Sequence, residues 1–160
     1  MTPTPSPEQA LAERIVADMM AKDEFSKWLG IKPMDIASNT ATTRMTVRRE
    51  MVNGFGVAHG GIVYSLADSA LAFASNTHGR VTVSIDNGIT YPAAVNVGDE
   101  LTAVAEMESS TKRLAFFRVS VTNQKGEVVA GFRGTVYKTD KAHAAANDVG
   151  QMGNRPGSPK

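Results

Sequence analysis

The chain contains no cysteine among its 160 residues, which excludes disulfides, thiolate metal ligation and a cysteine nucleophile together. Histidine is nearly as scarce. The three present, His59, His78 and His143, are scattered without zinc-ligand spacing, so neither a metal nor a cofactor is expected. An excess of one charge is missing too: 17 Lys and Arg against 16 Asp and Glu leave a formal net charge of +1, too little for an overall field that gathers nucleic acid. Any anion must be held locally. No apolar run reaches the ~20 residues of a membrane span, and Met1–Pro7 has no basic stretch followed by an apolar one. The expectation is a cytoplasmic protein with neither nucleic acid nor membrane as partner.

What the chain does contain is concentrated in one stretch. Asn53-Gly54-Phe55-Gly56-Val57-Ala58-His59-Gly60-Gly61 runs directly into residues 62–74, which are apolar nearly all round and so predict a helix covered on most sides. Two glycines opening a helix leave its first backbone N–H groups uncovered, where a carbonyl can be polarised or an anion held. Inside the helix, Ser65, Asp68, Ser69 and Ala72 fall at i, i+3, i+4 and i+7 and make one narrow, small and polar stripe. A carboxylate in such a helix is costly to bury. Asp68 is therefore either a reacting group or a structural carboxylate satisfied by its neighbours. Two further alternatives stand open: His59 as a catalytic group or as a residue fixing the loop by hydrogen bonds, and Asn53-Gly54 as functional or as a plain turn.

The rest of the chain reads as one domain. Ser6-Pro7-Glu8-Gln9 is a helix start with Ser6 as N-cap, Pro7 at the first helical position and Gln9 placed for a capping box. Leu11, Ile15, Met19 and Met20 continue it at helical spacing, and Gly30 suits a C-terminal cap after Phe25, Trp28 and Leu29. A strand is predicted between Met34 and Val47, another from Val81 to Ile85, and a third from Leu101 to Glu108 with alternating faces. Residues 114–122 and 127–138 form a hairpin around Asn123-Gln124-Lys125-Gly126. The order is α+β, an antiparallel sheet wrapped around one long apolar helix, with an additional N-terminal helix. The tail beyond Tyr137, rich in Ala, Asn, Gly and Pro, lacks apolar periodicity and is expected to be frayed.

His59-Gly60-Gly61, with Asn53 before it and Ser65-Leu66-Ala67-Asp68-Ser69 after it, resembles the hotdog-fold acyl-CoA thioesterases of the phenylacetate-degradation (PaaI) type. The resemblance covers roughly residues 28–138, leaving 1–27 as an N-terminal helical extension and 139–160 as the tail. It implies a hotdog fold and hydrolysis of acyl-CoA thioesters, with aryl-acyl groups such as phenylacetyl derivatives. It also gives roles: the Gly60 N–H polarises the thioester carbonyl, Asp68 is base or nucleophile, and Asn53 holds the carbonyl or the attacking water. His59, Gly61 and Ser69 are placed in contact with substrate. Lys112 and Arg113, in a short basic loop between strands, are candidates for the coenzyme phosphates. One departure stands out, Tyr91 before Pro92, where many relatives carry a basic residue. The alternative within the same fold is a domain that binds acyl-CoA without cleaving it.

Helix geometry adds a constraint. At 1.5 Å per residue, Asp68 lies about 12 Å along the axis from Gly60, too far for both to meet one thioester within one subunit. Two copies packed antiparallel about a two-fold axis would bring each Gly60 to the partner's Asp68. A homodimer with shared sites, itself paired into a dimer of dimers, is expected, as the resemblance also implies.

Overall fold

Ser6 starts the first helix as predicted. Its Oγ accepts the Gln9 N–H at 3.2 Å, and Pro7 is the first residue of α1 (Pro7–Lys22). The capping box is only half made, because the Gln9 amide turns away from Ser6 and donates to the Ile36 carbonyl and the Glu13 carboxylate. Asp23 caps the short α2 (Glu24–Leu29), and Gly30 ends it with φ +77°, a left-handed conformation that favours glycine. The boundary expected between residues 27 and 28 thus falls inside a helix. The computed structural model describes residues 5–152; residues 1–4 and 153–160 lie outside it.

The segment predicted as one strand is a hairpin. β1 (Lys32–Ala37) and β2 (Thr40–Thr46) pair antiparallel around Asn39, whose φ is +59°. β1 was illegible because it contains Pro33 and Asp35 and buries little; as an edge strand with a bulge between Pro33 and Ile36 it tolerates both. A 3-10 turn, Arg49–Met51, follows. The chain then forms α3 (Gly60–Asn76), β3 (Arg80–Thr90), β4 (Glu100–Ser110), β5 (Leu114–Thr122) and β6 (Val128–Ala142). All six strands make one antiparallel sheet in the order β1-β2-β4-β5-β6-β3. β3 runs five residues beyond its predicted end at Ile85.

α3 lies along the inner face of this sheet. Leu66, Ala67, Ala70, Leu71, Phe73 and Ala74 are buried against Met45, Leu101, Ala103, Phe117, Val119 and Phe132, and the alanines let the helix approach the strands closely. Gly134 of β6 is where the approach is tightest. A Cβ there would stand 2.4 Å from Leu71 Cδ2 and 2.8 Å from Asn87 Oδ1.

The tail differs from the expectation of fraying. β6 continues through Ala142, and α4 (Ala144–Met152) follows. Long-range partners hold these residues, which no local periodicity reveals: Ala142 pairs with Arg80, the His143 N–H donates to the Gly79 carbonyl, and Ala145 is buried. His143 Nε2 also lies 2.7 Å from Asn76 Oδ1, and Arg14 pairs with Asp148 at 3.0 Å. The part of the expected tail from residue 153 onward lies outside the described residues. Among the described residues, no helix is long and apolar enough to cross a membrane.

Candidate active site

The loop before α3 is pinned on several sides. Val52 and Ala58 form an isolated bridge, the Ala58 N–H donates to the Val95 carbonyl at 2.8 Å, and the His59 N–H to the Met51 carbonyl at 2.8 Å. Asn53 closes the turn between them. Its Oδ1 accepts the Phe55 N–H at 2.8 Å, and Gly56 takes φ +81°. Asn53-Gly54 thus forms a turn through the Asn53 Oδ1, and the Asn53 Nδ2 takes part in none of these bonds.

His59 caps α3. Its Nδ1 accepts the Gly61 N–H at 3.0 Å, doing with an imidazole what Ser or Asp does at most helix starts. From the other side, the Tyr91 hydroxyl donates to the Gly60 carbonyl at 2.8 Å. The Gly60–Gly61 peptide is thus held at both ends, its oxygen by Tyr91 and its N–H by His59. The N–H of Gly60 itself takes none of these bonds. It stands at the first turn, where the helix supplies no partner. Gly61, expected against the substrate, has its donor committed within the chain. Space at both glycines is tight: a Cβ would lie 3.1 Å from the Tyr91 hydroxyl at Gly60 and 3.1 Å from His59 Nδ1 at Gly61, so either side chain would have to shift.

A cavity of about 340 Å³ adjoins Gly60, bounded by Tyr91 and by Val57, Ala58, Val63, Ala93 and Val95. None of its lining residues is charged.

Asp68 sits two turns further along α3 and is half-buried. Burial pushes its carboxyl above the ordinary carboxylate value; a hydrogen bond from Asn87 works in the opposite direction without cancelling the shift. Asn87 Nδ2 donates to Asp68 Oδ1 at 3.1 Å, and Asn87 Oδ1 accepts the Ser84 hydroxyl at 2.8 Å. Sequence reasoning missed Asn87, because β3 was ended at Ile85. An amide followed by Gly88 in a stretch of strand was the available signal.

The remaining predicted residues lie elsewhere. Ser69, expected at the substrate, turns its hydroxyl to α2, where it meets Ser26 Oγ at 2.9 Å; Ser26 donates in turn to Asp23 at 2.6 Å. Lys112 and Arg113 lie on the β4–β5 hairpin, level with Val83 through the Leu114–Tyr137–Val83 register. Tyr91 and Gly60 are at the other end of β3, about 26 Å away at 3.3 Å per residue. Arg113 is paired with Asp140 at 2.6 Å. Within one chain, neither cation meets the Gly60 donor, and Asp68 does not meet it either.

Comparison with known proteins agrees with the fold. The model of the thioesterase superfamily matches residues 55–130, a span that includes Gly60, Asp68, Asn87 and Tyr91. The acyl-coenzyme A thioesterase PaaI of Escherichia coli K12 is 34% identical over 120 residues, covering 75% of this chain and 86% of its own. Human acyl-coenzyme A thioesterase 13 is 33% identical over 131 residues, covering 79% of this chain and 93% of its own. The solved structure of the E. coli PaaI protein, from the phenylacetic acid degradation operon, superposes with a TM-score of 0.82 at 31% identity over 84% of this chain and 97% of that one.

Proposed function

Because the chain belongs to the thioesterase superfamily and has its hotdog fold, we propose that it hydrolyses acyl-CoA thioesters to a free acid and coenzyme A, with aryl-acyl groups such as phenylacetyl as its substrates. One observation carries the reading: the tethered Gly60–Gly61 peptide leaves a single fixed donor, the Gly60 N–H, beside an apolar cavity. A donor already aimed where negative charge develops on a thioester oxygen stabilises the transition state with no rearrangement, by about 3 kcal/mol in comparable oxyanion sites. The names of the E. coli and human relatives, and the operon from which the E. coli protein comes, support acyl-CoA and an aryl group respectively.

The reacting carboxylate in this reading is the partner's Asp68. As a base it takes a proton from water as the water oxygen attacks the carbonyl carbon; the C–S bond then breaks and the proton passes to the departing thiolate. As a nucleophile its oxygen attacks the carbonyl carbon instead, the C–S bond breaks to release the coenzyme thiolate, and water then opens the resulting anhydride, freeing the acid and the Asp68 carboxylate while a water proton passes to the thiolate. The Asn53 Nδ2 holds the carbonyl or the water. The partner's hairpin brings Lys112 toward the coenzyme phosphates. Support for pairing comes from the length of α3, which keeps Gly60 and Asp68 of one chain apart, and from β3, whose outer edge is unpaired among the described residues and leaves Val83 47% and Ile85 57% exposed. Pairing of two such dimers and a cytoplasmic setting belong to the same reading.

The test is release of free thiol from butanoyl-, decanoyl- and phenylacetyl-CoA. Turnover highest on the phenylacetyl ester is the expected result. Tight binding of all three without thiol release would instead make the protein a non-catalytic acyl-CoA binder.

A further inference from the structure

We propose that Tyr91 is both the positioning residue for the Gly60 donor and the wall that selects the acyl group, its ring favouring a flat, apolar acyl chain over a short aliphatic one. The inference rests on the thioesterase reading of the site and names what its pocket takes.

Three features of Tyr91 lead here. It is the residue after β3 and precedes Pro92, and a residue before proline is confined to extended backbone, so the ring leaves the strand end in a set direction. Its hydroxyl does not point to solvent but donates to the Gly60 carbonyl at 2.8 Å. The ring stands directly over Gly60: a Cβ on that residue would lie 3.2 Å from Tyr91 Cζ. The bond at its hydroxyl holds the ring in one rotamer over Gly60, although the residue is 47% exposed. Tyr91 lines the cavity beside Gly60.

The chemistry of that cavity identifies its occupant. A thioester bound with its carbonyl on the Gly60 N–H sends its acyl chain one way and its pantetheine arm the other. The arm carries amides, which lose free energy in a space whose side chains, apart from the Tyr91 hydroxyl already bonded to Gly60, offer no donor or acceptor. Val57, Ala58, Val63, Ala93 and Val95 offer none. The acyl group, being apolar, loses nothing there, and an aryl acyl group gains offset or edge contact with the Tyr91 ring. The same bond that orients the ring also sets the tilt of the first turn of α3, so the donor and the wall are placed together.

The two roles separate in Tyr91→Phe and Tyr91→Ala. Tyr91→Phe keeps the wall and loses the tether; the expected result is a fall in kcat of about tenfold on every acyl-CoA with KM little changed, the signature of an interaction felt in the transition state. Tyr91→Ala loses both, and the ratio of kcat/KM for phenylacetyl-CoA over butanoyl-CoA is expected to drop a further fivefold or more, about what one lost apolar contact does to selectivity. Inhibition by free coenzyme A, which has no acyl group, stays at the wild-type level in both. Wild-type kcat in Tyr91→Phe would overturn the positioning role. An unchanged acyl ratio in Tyr91→Ala, or weakened inhibition by free coenzyme A, would overturn the acyl wall and put the pantetheine arm in the cavity. Should Tyr91→Ala fail to fold by circular dichroism, Tyr91→Leu carries the same comparison. A wild-type protein that releases no thiol sinks the thioesterase reading and this inference with it, whereas an active wild type with indifferent variants sinks this inference alone.

Discussion

Asn87 donates to Asp68 Oδ1 at 3.1 Å from a strand on the far side of the helix–sheet contact. The bond engages one oxygen of the half-buried carboxyl, and among the described residues no hydrogen bond engages Oδ2; in the proposed reaction Oδ2 is the oxygen left to react. Asn87 is itself oriented by the Ser84 hydroxyl, and Gly134 leaves the room that the amide occupies.

Replacing Asp68 by Asn separates the reacting group from its shape. Turnover is expected to fall about 10³-fold, the scale of a lost general base, with acyl-CoA binding and circular dichroism unchanged. The same variant has a signature in stability. Burial raises the carboxyl above its ordinary value in the folded protein, so the charge opposes folding only as pH rises through that raised value, and not below the ordinary one. Asp68→Asn therefore melts at a higher temperature than wild type near pH 8, and the advantage disappears near pH 4. Near-normal turnover would remove Asp68 from the site, and equal melting at both ends would show that burial does not disfavour its charge.

Asn87→Ala deletes the bond that draws the Asp68 carboxyl back toward its ordinary value, leaving the raising effect of burial unopposed. The acidic limb of the kcat/KM profile is expected to move to higher pH, because Asp68 must be ionised to act. A limb that stays in place would show that another group controls it.

Gly134→Ala puts a methyl into space already held by Leu71 and Asn87. Overpacking of this kind costs about 1–3 kcal/mol, read as a lower midpoint in urea. Activity falls as well if Asn87 is displaced. Wild-type stability would mean that the sheet yields at this position.

Shared sites predict complementation. Gly60→Pro removes the donor N–H and Asp68→Asn the carboxylate, and each is expected to be inactive alone. After unfolding and refolding as an equal mixture, about half the dimers are mixed, each with one doubly defective and one intact site, so about a quarter of wild-type activity returns. Gly60→Val, which blocks approach but keeps the N–H, serves as a parallel partner. No recovery despite subunit exchange seen by mass would sink the two-subunit site.

Features that depend on neighbours in the chain were legible. Ser6 and Pro7 announce α1, Gly30 ends α2, and His59-Gly60-Gly61 with Asp68 marks α3 and its chemistry. Alternation at Leu101, Ala103 and Ala105 predicts the buried face of β4, as found. What escaped depends on residues far apart. Tyr91 reaches Gly60 across 31 positions and Asn87 reaches Asp68 across 19. β1 survives as an edge with a proline in it, and α4 is held to α1 by Arg14 and Asp148 rather than by its own pattern. Ser69 was read as part of an open stripe because helical spacing gives a direction but not the neighbour found there.

That neighbour changes what can be removed from the protein. The hydroxyl chain from Ser69 through Ser26 to Asp23 makes the N-terminal helices a bearing for α3, seated one residue from the carboxylate at position 68. A truncation at residue 28 would cut α2 in two and leave the Ser69 hydroxyl facing water. The N-terminal helices therefore brace the helix that carries Asp68, and a version of the protein starting at residue 28 would lack the Ser26 and Asp23 side chains that meet Ser69.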